Sequence, residues 1–165
     1  MAISKDKKSA ILARLTEAFA EAKAIAFVGF SKVSVKEIAA VRKELAKEGV
    51  RYYVAKKTLI RKALTDQGYT GEIPELPGEV AVAWTANADD TTAPARTVFG
   101  HGKKLKGAIA LLGGVFDGML KNASDITAIA TIPPLAVLRG MFANIINSPR
   151  QRFAVALGEV AKTKN

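Results

Sequence analysis

The sequence predicts an α/β domain with a mixed sheet of about four strands flanked by helices, followed by a long C-terminal amphipathic helix. Three observations predict it. Apolar residues switch repeatedly between the helical spacing of three to four and the strand spacing of two along residues 1–130. Gly and Pro clusters punctuate the switches. Thr131-Ile132-Pro133-Pro134 then divides that alternation from one long helical pattern. Alternating helices and strands are the signature of a layered α/β domain.

Ile11, Leu15, Ala18, Phe19 and Ala22 recur at helical spacing, so a first helix is expected over 5–23. The apolar run 24–30 carries no charge and reads as a buried strand. Ser34 and Glu37 form an S-x-x-E capping box that opens a second helix. Ile38, Val41, Leu45 and Ala46 supply its inner face, and Gly49 its stop. A strand follows over 50–55, with Val50, Tyr52 and Val54 facing one way and Arg51 and Tyr53 the other. A third helix is expected over 57–65. Gly68, Gly71, Pro74, Pro77 and Gly78 mark a loop, and Val80, Val82 and Trp84 alternate in a strand over 79–85. A short helix is expected over 93–99, a strand over 105–112 and a brief addition at Val115–Phe116. Ser124 is expected to cap a short helix reaching about Ala130. Residues 131–134 form a Pro-containing hinge, because Pro halts one element and suits the first turn of the next. Residues 135–165 form the C-terminal helix.

Length and composition narrow the function. A chain of 165 residues with 49% hydrophobic and 24% charged residues affords one core and an appendage. It has no cysteine, which excludes a disulfide framework, a thiolate zinc site and a cysteine nucleophile, and fits a reducing cytosol. The net charge of +10 points to a polyanionic partner. Residues 1–66 hold 15 Lys/Arg against 7 Asp/Glu, and residues 67–130 hold 5 against 7. The basic face therefore belongs to the N-terminal part. No segment reads as a targeting or membrane element. The longest apolar stretch, 108–116, is far short of the roughly 20 residues that span a bilayer.

Signals for catalysis are poor, and neither catalytic residues, metal ligands nor a cofactor are expected. His101 is the only histidine. Gly100-His101-Gly102-Lys103-Lys104 hints at a phosphate-binding loop but lacks the Gly-Lys-Ser/Thr ending. Asp89-Asp90 before Thr91-Thr92 reads as helix initiation.

The signal for RNA is a violated rule. Helix N-termini carry partial positive charge and favour acids by about 0.3–1 kcal/mol. Here Lys5, Lys7 and Lys8 crowd the start of the first helix, with only Asp6 to offset them, and Lys56 and Lys57 crowd the start of the third. A phosphate gains there from both ammonium groups and free backbone N–H groups. Arg61 shares a face with Lys57, Thr58 brings a hydroxyl, and Lys62 adds charge. Ser31 and Lys32 precede the second helix; Arg42 on that helix either reaches RNA or borders the core. Few aromatics interleave, which favours reading of folded RNA by backbone and shape over base stacking.

The C-terminal helix carries two apolar stripes. Leu138, Met141, Phe142, Ile145 and Ile146 form the first, and Phe153, Ala156, Leu157, Val160 and Ala161 the second, with Ser148-Pro149 interrupting between them. Such a stripe must be buried, either on the chain's own domain or on another protein. Two stripes suggest two successive binding modules.

These residues resemble a known family, the tenth protein of the large ribosomal subunit in its bacterial form, which forms the base of the lateral stalk. The resemblance rests on Val41-Arg42-Lys43-Glu44-Leu45, then Gly49-Val50, then the run from Val54-Ala55-Lys56-Lys57-Thr58-Leu59 through Leu64. Pro77-Gly78-Glu79-Val80 and Ile129-Ala130-Thr131-Ile132-Pro133 add to it, in order along essentially the whole chain. It implies a cytoplasmic, ribosome-associated, non-enzymatic protein whose domain 1–130 binds large-subunit rRNA beside the eleventh large-subunit protein. It implies RNA contacts at Lys5–Lys8, Ser31, Lys32 and Lys56–Lys62. It also implies that the C-terminal helix holds dimers of the acidic stalk protein, which recruits translational GTPases. Two modules imply two dimers. Two rival readings are a small α/β nucleic-acid-linked enzyme and a DNA-binding adaptor.

Overall fold

Helices and strands form in the expected order apart from a strand over Met119–Asn122 that the sequence did not announce, but the strands pair in a way that the order alone does not dictate. The structure, a computed structural model, describes residues 5–31, 33–71, 74–87, 90–105 and 107–164, with side chains at all of these except 5–7 and 164. The elements are α1 (Lys5–Glu21), β1 (Ala24–Phe30), α2 (Val35–Lys47), β2 (Arg51–Val54), α3 (Lys57–Gln67) and β3 (Glu79–Thr85). They continue as α4 (Ala93–Lys104), β4 (Ile109–Phe116), β5 (Met119–Asn122), α5 (Ala123–Ala130) and α6 (Leu135–Lys164). Residues fall into two compact units, Met1–Ile132 and Pro133–Asn165.

The first unit is α/β, as expected, but its sheet has five strands in the order β2-β3-β1-β4-β5. Every ladder between these strands is antiparallel, so the expectation of a mixed sheet of about four strands is corrected. The reason is a pair of split crossovers. β1 and β2 run parallel, but β3 lies between them; β3 and β4 run parallel, but β1 lies between them. Helical crossovers make those strands parallel, and the intervening strand keeps them from pairing.

Strand alternation then builds two cores. Ile25 and Phe27 of β1 and Val80, Val82 and Trp84 of β3 face α1 and α3, meeting Leu15, Phe19, Ile60 and Leu64. Ala26 and Val28 of β1 and Ala81 and Ala83 of β3 face α2 and α4, meeting Val41, Leu45 and Val98. The alanines on this second face let the helices approach closely. Ile126 and Ala130 of α5 pack against Ala95 of α4 in a smaller cluster.

Several boundaries differ from the sequence expectations. α4 runs on to Lys104, and β4 starts at Ile109 and passes through Gly113-Gly114 to Phe116. The glycine pair breaks the apolar run in sequence, yet it is needed: a Cβ on Gly114 would lie 2.3 Å from the Ile25 carbonyl oxygen across the ladder. Ala46 is exposed rather than on the inner face of α2. Asn122, not Ser124, occupies the N-cap position of α5. α6 is one helix, as expected, and runs on through Pro149, where the sequence interrupts the apolar stripe.

Candidate nucleic-acid interface

One end of the sheet collects the features that favour anions. Phe30 at the end of β1 pairs with Glu79 at the start of β3 and Ile109 at the start of β4, and Val54 at the end of β2 pairs with Ala81. α3 begins there, three residues after Val54. α1 packs along α3, and its Ile11 reaches the same place.

α2 and α3 begin in opposite electrostatic states. At α2, Ser34 and Glu37 form the expected capping box: the Glu37 N–H donates to Ser34 Oγ at 3.3 Å, and the Ser34 N–H donates to Glu37 Oε2 at 2.8 Å. That backbone donor holds the Glu37 carboxyl below its ordinary pKa, and the Ser34 hydroxyl helps. At α3 the N-cap residue is Lys56, which provides no side-chain cap, and the first turn holds no acid. The first intrahelical bonds run from the Leu59 and Ile60 N–H groups to the Lys56 carbonyl at 2.9 and 3.1 Å. The N–H groups of Lys57 and Thr58 precede that ladder and carry the positive end of the helix.

Lys56, Lys57, Thr58, Arg61 and Lys62 are all exposed, as are Lys8 on α1 and Ser31 after β1. The Ser31 N–H donates to the Ala108 carbonyl at 3.0 Å, which leaves its side chain outward at this end. Arg42 lies elsewhere: it is on α2, across the sheet from α3, with its guanidinium 5.6 Å from the centre of the Tyr52 ring. The side chains of Lys5 and Lys7, and all of Lys32, lie outside the described residues.

Between these cations lies a groove of about 540 Å³ that the sequence reading missed. Ile11, Phe30, Val54, Leu59 and Val80 supply its apolar walls, while Lys56, Lys57 and Thr58 border it with Glu79. The signal was present in Val54, an apolar residue at the end of a strand that is 40% exposed. Its neighbours come from four separate elements, so only the fold assembles them.

His101 does not sit in a phosphate loop. It is buried in the last turn of α4, and its Nε2 lies 2.7 Å from Glu44 Oε2 on α2. Gly102 serves packing, because a Cβ there would come within 2.6 Å of the Ile109 carbonyl oxygen. Among the described residues, no cluster of His, Asp or Glu is arranged to hold a metal ion. No single helix among them is long and apolar enough to cross a membrane.

The second unit is helix α6. Leu138, Met141, Phe142, Ile145, Ile146, Phe153, Leu157 and Val160 are all exposed, Phe142 and Ile145 by 67% and 70%. At 3.6 residues per turn they fall within an arc of roughly 160°. The two stripes therefore share one face. Gly140, Asn144, Asn147, Gln151 and Gly158 occupy the opposite side.

The model of the family described as ribosomal protein L10 matches residues 3–101, a span that contains every residue lining the groove. The chain belongs to the ribosomal protein L10 family. Curated relatives agree over nearly full length. The large ribosomal subunit protein uL10 of Lactobacillus acidophilus is 34% identical over 156 residues, covering 92% of this chain and 91% of that protein. The uL10 of Shouchella clausii is 31% identical over 159 residues, covering 96% and 94%. That of Lactobacillus helveticus is 33% identical over 156 residues, covering 92% and 91%. Membership in the L10 family makes this a structural, non-enzymatic ribosomal protein, cytoplasmic and ribosome-associated in bacteria. The nucleic-acid-linked enzyme is thereby set aside.

Proposed function

We propose that this chain is a constituent of the large ribosomal subunit that binds rRNA at the stalk base and anchors dimers of the acidic stalk protein on α6. The observation that carries the RNA half is the exposed, uncapped start of α3, flanked by Lys56 and Lys57 where an acid is the stable choice. Phosphate oxygens supply the missing acceptors and the missing negative charge together. Lys8, Ser31, Arg61 and Lys62 extend the contact along α1 and α3. Lys5, Lys7 and Lys32 add to the contact. Arg42, across the sheet, serves as a separate and weaker one. The eleventh large-subunit protein is the expected neighbour.

The stalk half is carried by the exposed apolar arc of α6 from Leu138 to Val160. An exposed stripe of this length is stabilised by a helical partner that covers it. Residues 131–165 hold 5 Lys/Arg against 1 Asp/Glu, which suits an acidic one. Two stripes give room for two dimers. The scaffold does no chemistry; it joins RNA to a mobile recruiting arm.

Binding of the full chain to large-subunit rRNA across a salt series tests the first half. Replacing Lys56, Lys57 and Arg61 by Ala should weaken binding and flatten the log–log salt slope by about 0.9 for each phosphate that is no longer neutralised. An unchanged slope defeats the assignment of these residues. Equal competition by duplex DNA would favour a DNA-binding adaptor instead. For the second half, Phe142→Asp with Ile145→Asp should abolish capture of the acidic stalk protein and leave RNA affinity intact. Persistent capture would show that this face is not the binding surface.

A further inference from the structure

The groove at the start of α3 combines two properties that a phosphate alone does not need. Its walls are apolar, formed by Val54, Phe30, Ile11 and Leu59, and its border is cationic. Its volume of about 540 Å³ lies within the usual range for a small-molecule-sized ligand, about 300–1,000 Å³. An occupant must therefore be flat or compact, apolar on its faces and anionic at one end. A nucleotide has this character: its base faces are apolar and its phosphate is charged.

We propose that this groove receives one unpaired nucleotide of the bound RNA, the base against Phe30 and Val54 and the phosphate at Lys56 and Lys57. The inference rests on the RNA-binding reading above and deepens it. The base has to be unpaired, because a paired one is shielded within the helix, and folded RNA exposes bases in loops and bulges. Taking up a base that is already unpaired costs the least unstacking energy. The phosphate end reaches the Lys57 and Thr58 N–H groups as well as the ammonium groups. Among the described residues, Glu79 is the one acid on the border. Its carboxylate accepts from an exocyclic amino group, which favours adenine, guanine or cytosine over uracil. An acidic peptide with an apolar side chain would share some of this chemistry. RNA is favoured because the cationic surface continues past the groove onto Arg61, Lys62 and Lys8, where flanking phosphates of the same strand find partners.

The test uses the full chain and purified large-subunit rRNA, with chemical probing of base edges alongside binding across a salt series. The wild-type protein should protect at least one unpaired base with an exocyclic amino group. Val54→Gln adds no charge at an exposed position. It should weaken binding about threefold or more, a loss of the size expected when an apolar contact of about one methylene is given up. It should re-expose that base and leave the salt slope unchanged. Lys56→Ala should flatten the slope instead. Val54→Thr keeps the β-branch, so the same loss of protection with an unchanged melting temperature excludes misfolding as the cause. Wild-type affinity and footprint in both Val54 variants would overturn the inference while leaving the RNA reading standing. Failure of the wild-type chain to bind rRNA at any salt would overturn both. Loss of an acidic protein partner in Val54→Gln, with RNA protection unchanged, would assign the groove to a peptide and overturn it too.

Discussion

Arg96 shows how much a single residue can set. Its Nη2 donates to Asp90 Oδ2 at 2.6 Å, its Nη1 donates to Thr92 Oγ1 at 2.9 Å, and Thr92 Oγ1 donates to Asp90 Oδ1 at 2.8 Å. The Arg96 hydrogen bond holds the Asp90 carboxyl below the ordinary carboxylate range; partial burial opposes it, and the Thr92 hydroxyl assists. A depressed folded pKa means stability that is present above the unfolded value and is lost as pH falls through the folded one. Arg96→Ala should therefore return the Asp90 titration to its ordinary range and remove that part of the acid-limb stability loss. Side-chain NMR titration checks it, and an unmoved Asp90 would contradict the pairing. The sequence showed Asp90 beside a helix start but hid its partner, because Arg96 lies six positions on and meets it only once α4 has formed. The place of His101 is hidden in the sequence for a related reason. Its glycine and lysine neighbours look like a loop, whereas its burial and its contact with Glu44 depend on two helices packing side by side.

Among the elements, α3 and α6 each contain a local discord. In α3 it is the lysine-flanked, uncapped start, legible from Lys56-Lys57-Thr58 alone. In α6 it is Pro149, which lacks an N–H and leaves the Ile145 carbonyl without its intrahelical donor. The sequence interrupts the apolar stripe there, and the helix nevertheless runs through. Pro149 lies on the apolar face between Ile145 and Phe153, so it weakens the helix at the midpoint of the proposed partner surface. Pro149→Ala should strengthen the helix by up to about 3 kcal/mol. It should slow amide exchange in the turns beside position 149. Exchange as fast as in the wild type would mean that proline is not the weak point. β4 illustrates the reverse case. Gly113-Gly114 looked like a break in the pattern, yet the close approach to Ile25 makes it part of the strand.

For the whole molecule, both ends of the chain are basic, residues 1–66 with 15 Lys/Arg against 7 Asp/Glu and residues 131–165 with 5 against 1, but the long exposed apolar stripe is on α6. RNA affinity should fall steeply with salt, by about 0.9 in log–log slope per neutralised phosphate, whereas capture of the stalk protein should fall more gently. Comparable slopes for both would undo the division of labour. What the sequence determined by itself is whatever is local in the chain. This includes the helical and strand periodicities, the capping box of α2, the proline boundary at 133–134 and the cationic start of α3. Each depends on residues within a turn or two of one another. The tertiary structure alone decided the all-antiparallel sheet, the Glu44–His101 pairing, and the groove walled by Ile11, Phe30, Val54 and Val80. Those depend on which strand slips between two others. That choice is made by the packing of both sheet faces at once, and no stretch of the chain encodes it alone.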